Sequence, residues 1–199
     1  METKDYLKMM REVKDFAFAT IGEDGRPAVR IIDIMLAEDD CLYFLTARGK
    51  EFYRQLTEQK FAAMTGMTKS WEMLTLRGRV KQVGQEMLGP IFEANPSMND
   101  VYPGDSRNIL EVFCLYEGQG EYFNLSKTPI FRETFFVGNP PEHKKGFCIT
   151  DACIECGICA QACPQQCIEE GTPYRIRQQN CLHCGLCAEQ CPAAAIAAR

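Results

Sequence analysis

The sequence predicts a mainly β fold with flanking helices, closed or split into a barrel, followed by a much smaller domain organised by cysteine. Three observations carry this. Short apolar runs separated by turn signals fill the first two thirds of the chain. Ten of the 12 cysteines fall from Cys148 onward, leaving only Cys41 and Cys114 before them. Between these regimes lies GNPPEHKKG, residues 138–146, whose prolines and flanking glycines read as an exposed connection. The expected divisions are therefore 1–137, a linker at 138–146, and 147–199.

The elements follow in order. Residues 3–15 are charged and apolar at helical spacing, which predicts an amphipathic helix. FAFATIG, the turn signal EDGRP and AVRIIDIML predict a hairpin, and CLYFLTA after the break AEDD predicts a third strand. GKEFYRQLTEQ has a helix pattern. FAAMTGMT and WEMLTLRGRVKQV are strand-like, a helix is expected near 85–95, and the apolar runs ILEVFCLYEG and GEYFNLS join around Gly118 and Gly120. Six or so strands with few helices suit a barrel. The lone Trp71 is expected in the core, or at an interface as an anchor.

Composition narrows the chemistry. A chain of 199 residues, 46% hydrophobic and 25% charged, has the make-up of a soluble globular protein. No apolar run approaches the roughly 18 residues a membrane span needs, and METKDYLKMMREVKD lacks the apolar core of a signal peptide. The cytoplasm is the expected location, where thiols stay reduced and many cysteines point to metal or redox chemistry before disulfides. A net charge of −5 speaks against nucleic acid. The expected partners are a small-molecule substrate or a redox protein, with neither nucleic acid nor membrane.

CIECGICAQACP at 153–164 returns as CLHCGLCAEQCP at 181–192, each in the order C-x2-C-x2-C-x3-C-P. Structural zinc takes four ligands, usually as two separated pairs, and leaves the third cysteines without a role. Covalently attached haem needs histidine directly after C-x-x-C, whereas His183 lies inside that spacing. The segment resembles the bacterial-type two-[4Fe-4S] ferredoxin family over about the last 50 residues. In that family the fourth cysteine reaches across to the other cluster, so the resemblance implies two [4Fe-4S] clusters. One would be held by Cys153, Cys156, Cys159 and Cys191, the other by Cys181, Cys184, Cys187 and Cys163. Gly157 and Gly185 suit a loop folded closely round a cluster, and Pro164 and Pro192 end it. His183 is expected in a loop near a cluster. Cys148 and Cys167 are expected to be structural, Cys167 taking the place that Ala195 has in the other repeat. So small a segment would draw much of its folding free energy from cluster binding.

The order FATIGEDGRPAVRIIDI, LYFLTARGKEFYRQL, WEMLTLRGRVKQV is similar to the pyridoxamine 5'-phosphate oxidase-like, FMN-binding split-barrel family, over most of residues 1–136. The resemblance implies FMN, a homodimer with flavin at its interface, and phosphate binding by Arg30 with Ile31 and Ile32, then Thr46, Arg48 and Lys50. The residues themselves point the same way. Strand alternation places Arg30 with Ala28, Ile32 and Ile34 on one face, a cation among apolar neighbours that asks for a partner. Thr46 to Lys50 lie where strand gives way to helix, and a helix N-terminus attracts anions. Taken singly, Arg48 and Lys50 read as ordinary solvated charges. Arg77 and Arg79 share a face that could meet flavin, substrate or a second subunit.

Together the two resemblances imply a flavin-dependent oxidoreductase passing electrons between two clusters, FMN and a small organic substrate. The alternative is an electron-transfer or redox-sensing protein with no substrate of its own, whose barrel docks a partner or binds another ligand. Haem in the barrel would need an axial ligand, and residues 1–142 contain no histidine. No catalytic acid or base stands out. Tyr43, Tyr53 and Tyr102 are available, but tyrosines on strands and helices mostly pack. Pyridoxamine 5'-phosphate oxidation itself fits poorly, because the cysteine repeat replaces the basic C-terminal segment that such an oxidase would use.

Overall fold

The computed structural model describes residues 1–38 and 40–199; residue 39, within the AEDD break, lies outside the described residues. The first elements are α1 (Thr3–Val13), β1 (Asp15–Ile21), β2 (Pro27–Glu38), β3 (Cys41–Ala47), α2 (Glu51–Gln59), β4 (Phe61–Met67) and β5 (Glu72–Val83). There follow α3 (Leu88–Ala94), α4 (Met98–Val101), β6 (Leu110–Asn124) and β7 (Phe131–Val137). The strands run β3-β2-β1-β4-β5-β6-β7, and β3 also pairs with β6, which closes six strands into a barrel and leaves β7 outside the ring.

Period-2 alternation decides what β1 and β5 bury, whereas β3 is buried along nearly its whole length. In β1, Phe16, Phe18 and Thr20 are buried while Ala17 and Ala19 between them are not. Phe18 meets Phe44 at 4.9 Å between ring centroids, and Phe44 stacks with Phe113 at 6.1 Å. Burying each such ring contributes about 2–3 kcal/mol. α1 buries Tyr6, Leu7 and Met10, which recur at helical spacing, and Tyr6 stacks on Phe135 of β7 at 4.6 Å. Its N-terminus is closed by a capping box, with the Glu2 N–H donating to Asp5 Oδ2 at 2.9 Å.

Three features differ from the sequence reading. The runs expected to join around Gly118 and Gly120 form one strand of 15 residues, β6. Those glycines are sites of close approach instead of a turn: a Cβ on Gly118 would lie 2.6 Å from the Arg77 carbonyl oxygen, and one on Gly120 would lie 2.2 Å from the Phe135 ring. The strand β7 was not foreseen, since the mixed run FRETFFV has no clean alternation. Trp71 is not a core residue. It is 60% exposed, at φ 63°, in the turn between β4 and β5.

The chain divides into two compact units, residues 1–69, 73–122 and 134–141 in the first, and 70–72, 123–133 and 142–199 in the second. The second therefore takes in the outer ends of β5, β6 and β7 besides the residues after the linker stretch. Its own elements are β8 (Phe147–Ile149), α5 (Ile158–Ala162), β9 (Ile168–Glu169), β10 (Arg175–Ile176), α6 (Leu186–Glu189) and β11 (Ile196–Ala198). These strands form two small antiparallel pairs, β8 with β11 and β9 with β10. Residues 123–133 are tied to this unit by hydrogen bonds at Ile130, whose N–H donates to Gln165 Oε1 at 3.1 Å and whose carbonyl accepts from Asn180 Nδ2 at 2.9 Å. Among the described residues no helix is long and apolar enough to cross a membrane.

Candidate functional site

The two cysteine loops repeat in backbone as well as in sequence. Glu155 and His183 occupy the left-handed region at φ 58° and 59°, and Gly157 and Gly185 follow at φ 74° and 82° as the residues that open α5 and α6. A side chain at either glycine would be strained, so the sequence uses the residue without a Cβ. The result is a loop that turns its N–H groups inward. The Glu155 N–H donates to Cys153 Sγ at 3.4 Å, the His183 N–H to Cys181 Sγ at 3.3 Å, and the Ala195 N–H to Cys191 Sγ at 3.3 Å. Donors aimed at sulfur favour thiolate, the form that binds metal.

One pocket is lined by Cys163, Cys181, Cys184 and Cys187, so the last cysteine of the first motif stands with the first three of the second. Burial raises Cys163 toward the neutral thiol, but backbone N–H groups of Cys167, Gln165 and Gln166 and the Cys167 side chain outweigh it and hold this group below its ordinary value. Burial pushes Cys159 and Cys187 upward. Cys156 and Cys184 are the exposed members of the two sets. Among the described residues no group of three His, Cys, Asp or Glu side chains closes round a single ion; each thiol of a cuboidal cluster binds its own iron. Inward N–H donors, a thiol biased toward thiolate and a pocket lined by these four cysteines together with Cys167 fit an iron–sulfur cluster.

The sequence reading missed what Cys167 does. It is 1% exposed, as a small buried residue should be, yet its Sγ lies 3.5 Å from Cys163 Sγ and it lines the same pocket. Burial first, then the hydrogen bond to Cys163, push the Cys167 thiol well up. Cys148 is half-buried in β8, opposite Ala197.

In the barrel, an open cleft at the start of α2 is lined by Arg48, Gly49, Lys50, Glu51, Tyr53 and Arg54. Lys50 is the N-cap and makes no side-chain capping bond; the Tyr53 N–H turns back to the Lys50 carbonyl at 3.1 Å, and the N–H groups of Glu51 and Phe52 face the site of an outside acceptor. Thr46, near the end of β3 and not in this cleft's lining, is 2% exposed, and among the described residues its Oγ1 has no hydrogen-bond partner, a buried hydroxyl that asks for one.

The two arginines are placed less simply. Arg30 lies outside this cleft's lining: its guanidinium donates to Thr20 Oγ1 at 2.5 Å and Gln55 Oε1 at 2.9 Å and rests 4.6 Å from the centre of the Phe52 ring. Burial lowers its pKa from the usual value. Arg48 lines the cleft but pairs at 2.6 Å with the buried Glu111, whose other oxygen accepts from Gln82 at 2.6 Å. Ile31 is 64% exposed, and Ile32 is half-buried opposite Phe16. Tyr43 is buried in the core and Tyr53 packs edge-on against Phe113, so both are packing residues.

A six-stranded closed barrel joined to a duplicated cysteine loop defines a split-barrel protein with an iron–sulfur appendage. Comparison with known proteins makes the family specific. Residues 3–100 match the pyridoxamine 5'-phosphate oxidase family and residues 152–195 the 4Fe-4S dicluster domain. The first half of the chain is thus similar to the pyridoxamine 5'-phosphate oxidase family, and the segment after it to the 4Fe-4S dicluster domain.

Among solved structures, a NimC/NimA family protein from Clostridium acetobutylicum is 24% identical over 68% of this chain and 92% of its own, with a TM-score of 0.60. A pyridoxamine 5'-phosphate oxidase-related, FMN-binding protein from Nostoc punctiforme is 16% identical over 70% of this chain and 94% of its own, with a TM-score of 0.50. A heme-binding protein from Mycobacterium smegmatis is 11% identical over 67% of this chain and 57% of its own, with a TM-score of 0.51. These likenesses are of fold. No curated protein matches the chain.

Proposed function

We propose that this chain is a flavin-dependent oxidoreductase that passes electrons between two [4Fe-4S] clusters, FMN and a small organic substrate. The observation that carries the reading is Cys163 standing in one pocket with Cys181, Cys184 and Cys187. That exchange leaves Cys153, Cys156 and Cys159 to be completed by Cys191, giving two sets of four. FMN exchanges an electron pair or single electrons, whereas each cluster carries one electron at a time. The chain's own residues bind and orient. Lys50 and the first-turn N–H groups of α2 receive the phosphate, Thr46 Oγ1 offers a further hydrogen bond, and Arg30 supplies charge from the strand beneath.

A homodimer belongs to the same reading. β1, β2 and β4 present an outer face on which Ile21, Val29, Ile31, Phe61 and Met67 are 45–64% exposed, bordered in register by Arg77 and Arg79. A second copy covering this face would remove that apolar surface from water.

One observation favours the alternative, an electron-transfer protein with no flavin of its own: Arg48 and Arg30 already have partners inside the barrel. The deciding experiment is anaerobic purification with flavin, iron and sulfide counted per chain. About one FMN and eight iron support the enzyme. Eight iron without flavin leaves the alternative.

A further inference from the structure

Cys163 and Cys191 hold equivalent places in the repeat, but Cys163 is buried where Cys191 is half-buried, and a second thiol lies beside Cys163. Each is approached by the backbone N–H of the residue four positions on, Cys167 for Cys163 and Ala195 for Cys191. Both of those residues are 1% exposed. Ala195 brings nothing further, whereas Cys167 adds a thiol 3.5 Å from the Cys163 sulfur. The direction of that bond follows from chemistry. A cluster ligand is a thiolate and has no proton to give, so the donor is Cys167.

Hydrogen bonds to the sulfurs of an iron–sulfur site disperse the negative charge that reduction adds, and they help set the potential. We propose that the Cys167 thiol, by donating to the Cys163 sulfur, holds the second motif's cluster at a higher reduction potential than the first motif's, so that an electron entering this unit settles beside Cys163. Cys167 acts here as a positioning and tuning residue, with the four-cysteine ligand set left intact. The proposal rests on the two-cluster reading above.

The experiment is an anaerobic redox titration of the full chain followed by electron paramagnetic resonance, on wild type, Cys167→Ala and Cys167→Ser, with iron counted in each. Alanine at 167 copies what the first repeat already has at 195, so the fold should accept it. The expected result is full iron in all three, a lower value for the higher of the two midpoints in Cys167→Ala with the other unmoved, and a midpoint near wild type in Cys167→Ser, whose hydroxyl also donates. Unmoved midpoints, a shift of both together, or a serine variant that behaves like alanine overturn the proposal while leaving two clusters in place. Loss of iron in Cys167→Ala overturns it by making Cys167 a ligand. Wild type holding only one cluster's worth of iron overturns the two-cluster reading and the proposal with it.

Discussion

Arg48, the residue after β3, and Glu111 of the neighbouring strand β6 are 63 residues apart in sequence and meet at 2.6 Å, and the carboxylate is the buried partner. Gln82 holds its second oxygen, so Glu111 is satisfied only while both neighbours remain. Arg48→Ala leaves a buried charge half paired and is expected to cost about 1–2 kcal/mol, less than a fully buried pair because Arg48 is partly in solvent. Glu111→Gln leaves no buried charge behind, only the partly solvated Arg48 guanidinium, and should cost less. Anaerobic thermal unfolding of the two variants checks the order, and equal losses would contradict it.

The same pairing sets expectations for flavin. Lys50 is exposed at the helix N-cap, while Arg48 is engaged by Glu111. Lys50→Ala should therefore weaken FMN binding by about tenfold, the loss of one charge-assisted contact, and Arg48→Ala by less. Combining Lys50→Ala with Arg30→Ala should lower flavin affinity further with iron content unchanged. Unchanged flavin retention in the double variant would discard this cleft as the phosphate site.

Crossed ligation predicts a pattern of non-additivity. If Cys191 completes the set of Cys153, Cys156 and Cys159, then Cys191→Ala with Cys156→Ala should lose no more iron than either change alone, about half of the total. Cys191→Ala with Cys184→Ala should lose nearly all of it. Iron and sulfide analysis after anaerobic reconstitution reads this directly, and the reverse pattern would assign Cys191 to the second motif's cluster.

Gly78 and Gly89 predict different outcomes for one substitution. A Cβ on Gly78 of β5 would lie 2.2 Å from the Glu117 carbonyl oxygen and 2.6 Å from the Gly118 Cα, both backbone, so Gly78→Ala should cost about 2–3 kcal/mol as the strands are forced apart. Gly89 in α3 has open space around it, but Pro90 follows and its ring crowds a preceding helical residue that carries a Cβ, so the gain in helix propensity is offset and Gly89→Ala should be close to neutral. Thermal unfolding of the two variants side by side is the measurement.

What could be read in the sequence was local. The cysteine loops were legible because their ligands, glycines and prolines lie within a dozen residues of each other, and β1 to β5 because each is a short apolar or alternating run between turn signals. Pairings at long range were not. Nothing near Arg30 announces Gln55 and Thr20 as its partners, nothing near Arg48 announces Glu111, and the repeat shows that Cys167 replaces Ala195 without showing which sulfur it touches. Glycine misled in one place: Gly118 and Gly120 carry the composition of a turn, but they sit in β6 because the Arg77 carbonyl and the Phe135 ring leave no room for a side chain.

The pocket that joins Cys163 to Cys181, Cys184 and Cys187 also fixes an order of events during biosynthesis. As the chain leaves the ribosome, Cys163 emerges before the three sulfurs it stands with, so the pocket does not exist until the second loop has been made. Iron delivery to this set is then a late event, and a chain that stalls between residues 163 and 181 presents open thiols to oxygen and to stray metal. Because its lining draws on both loops, the pocket is complete only when both are present.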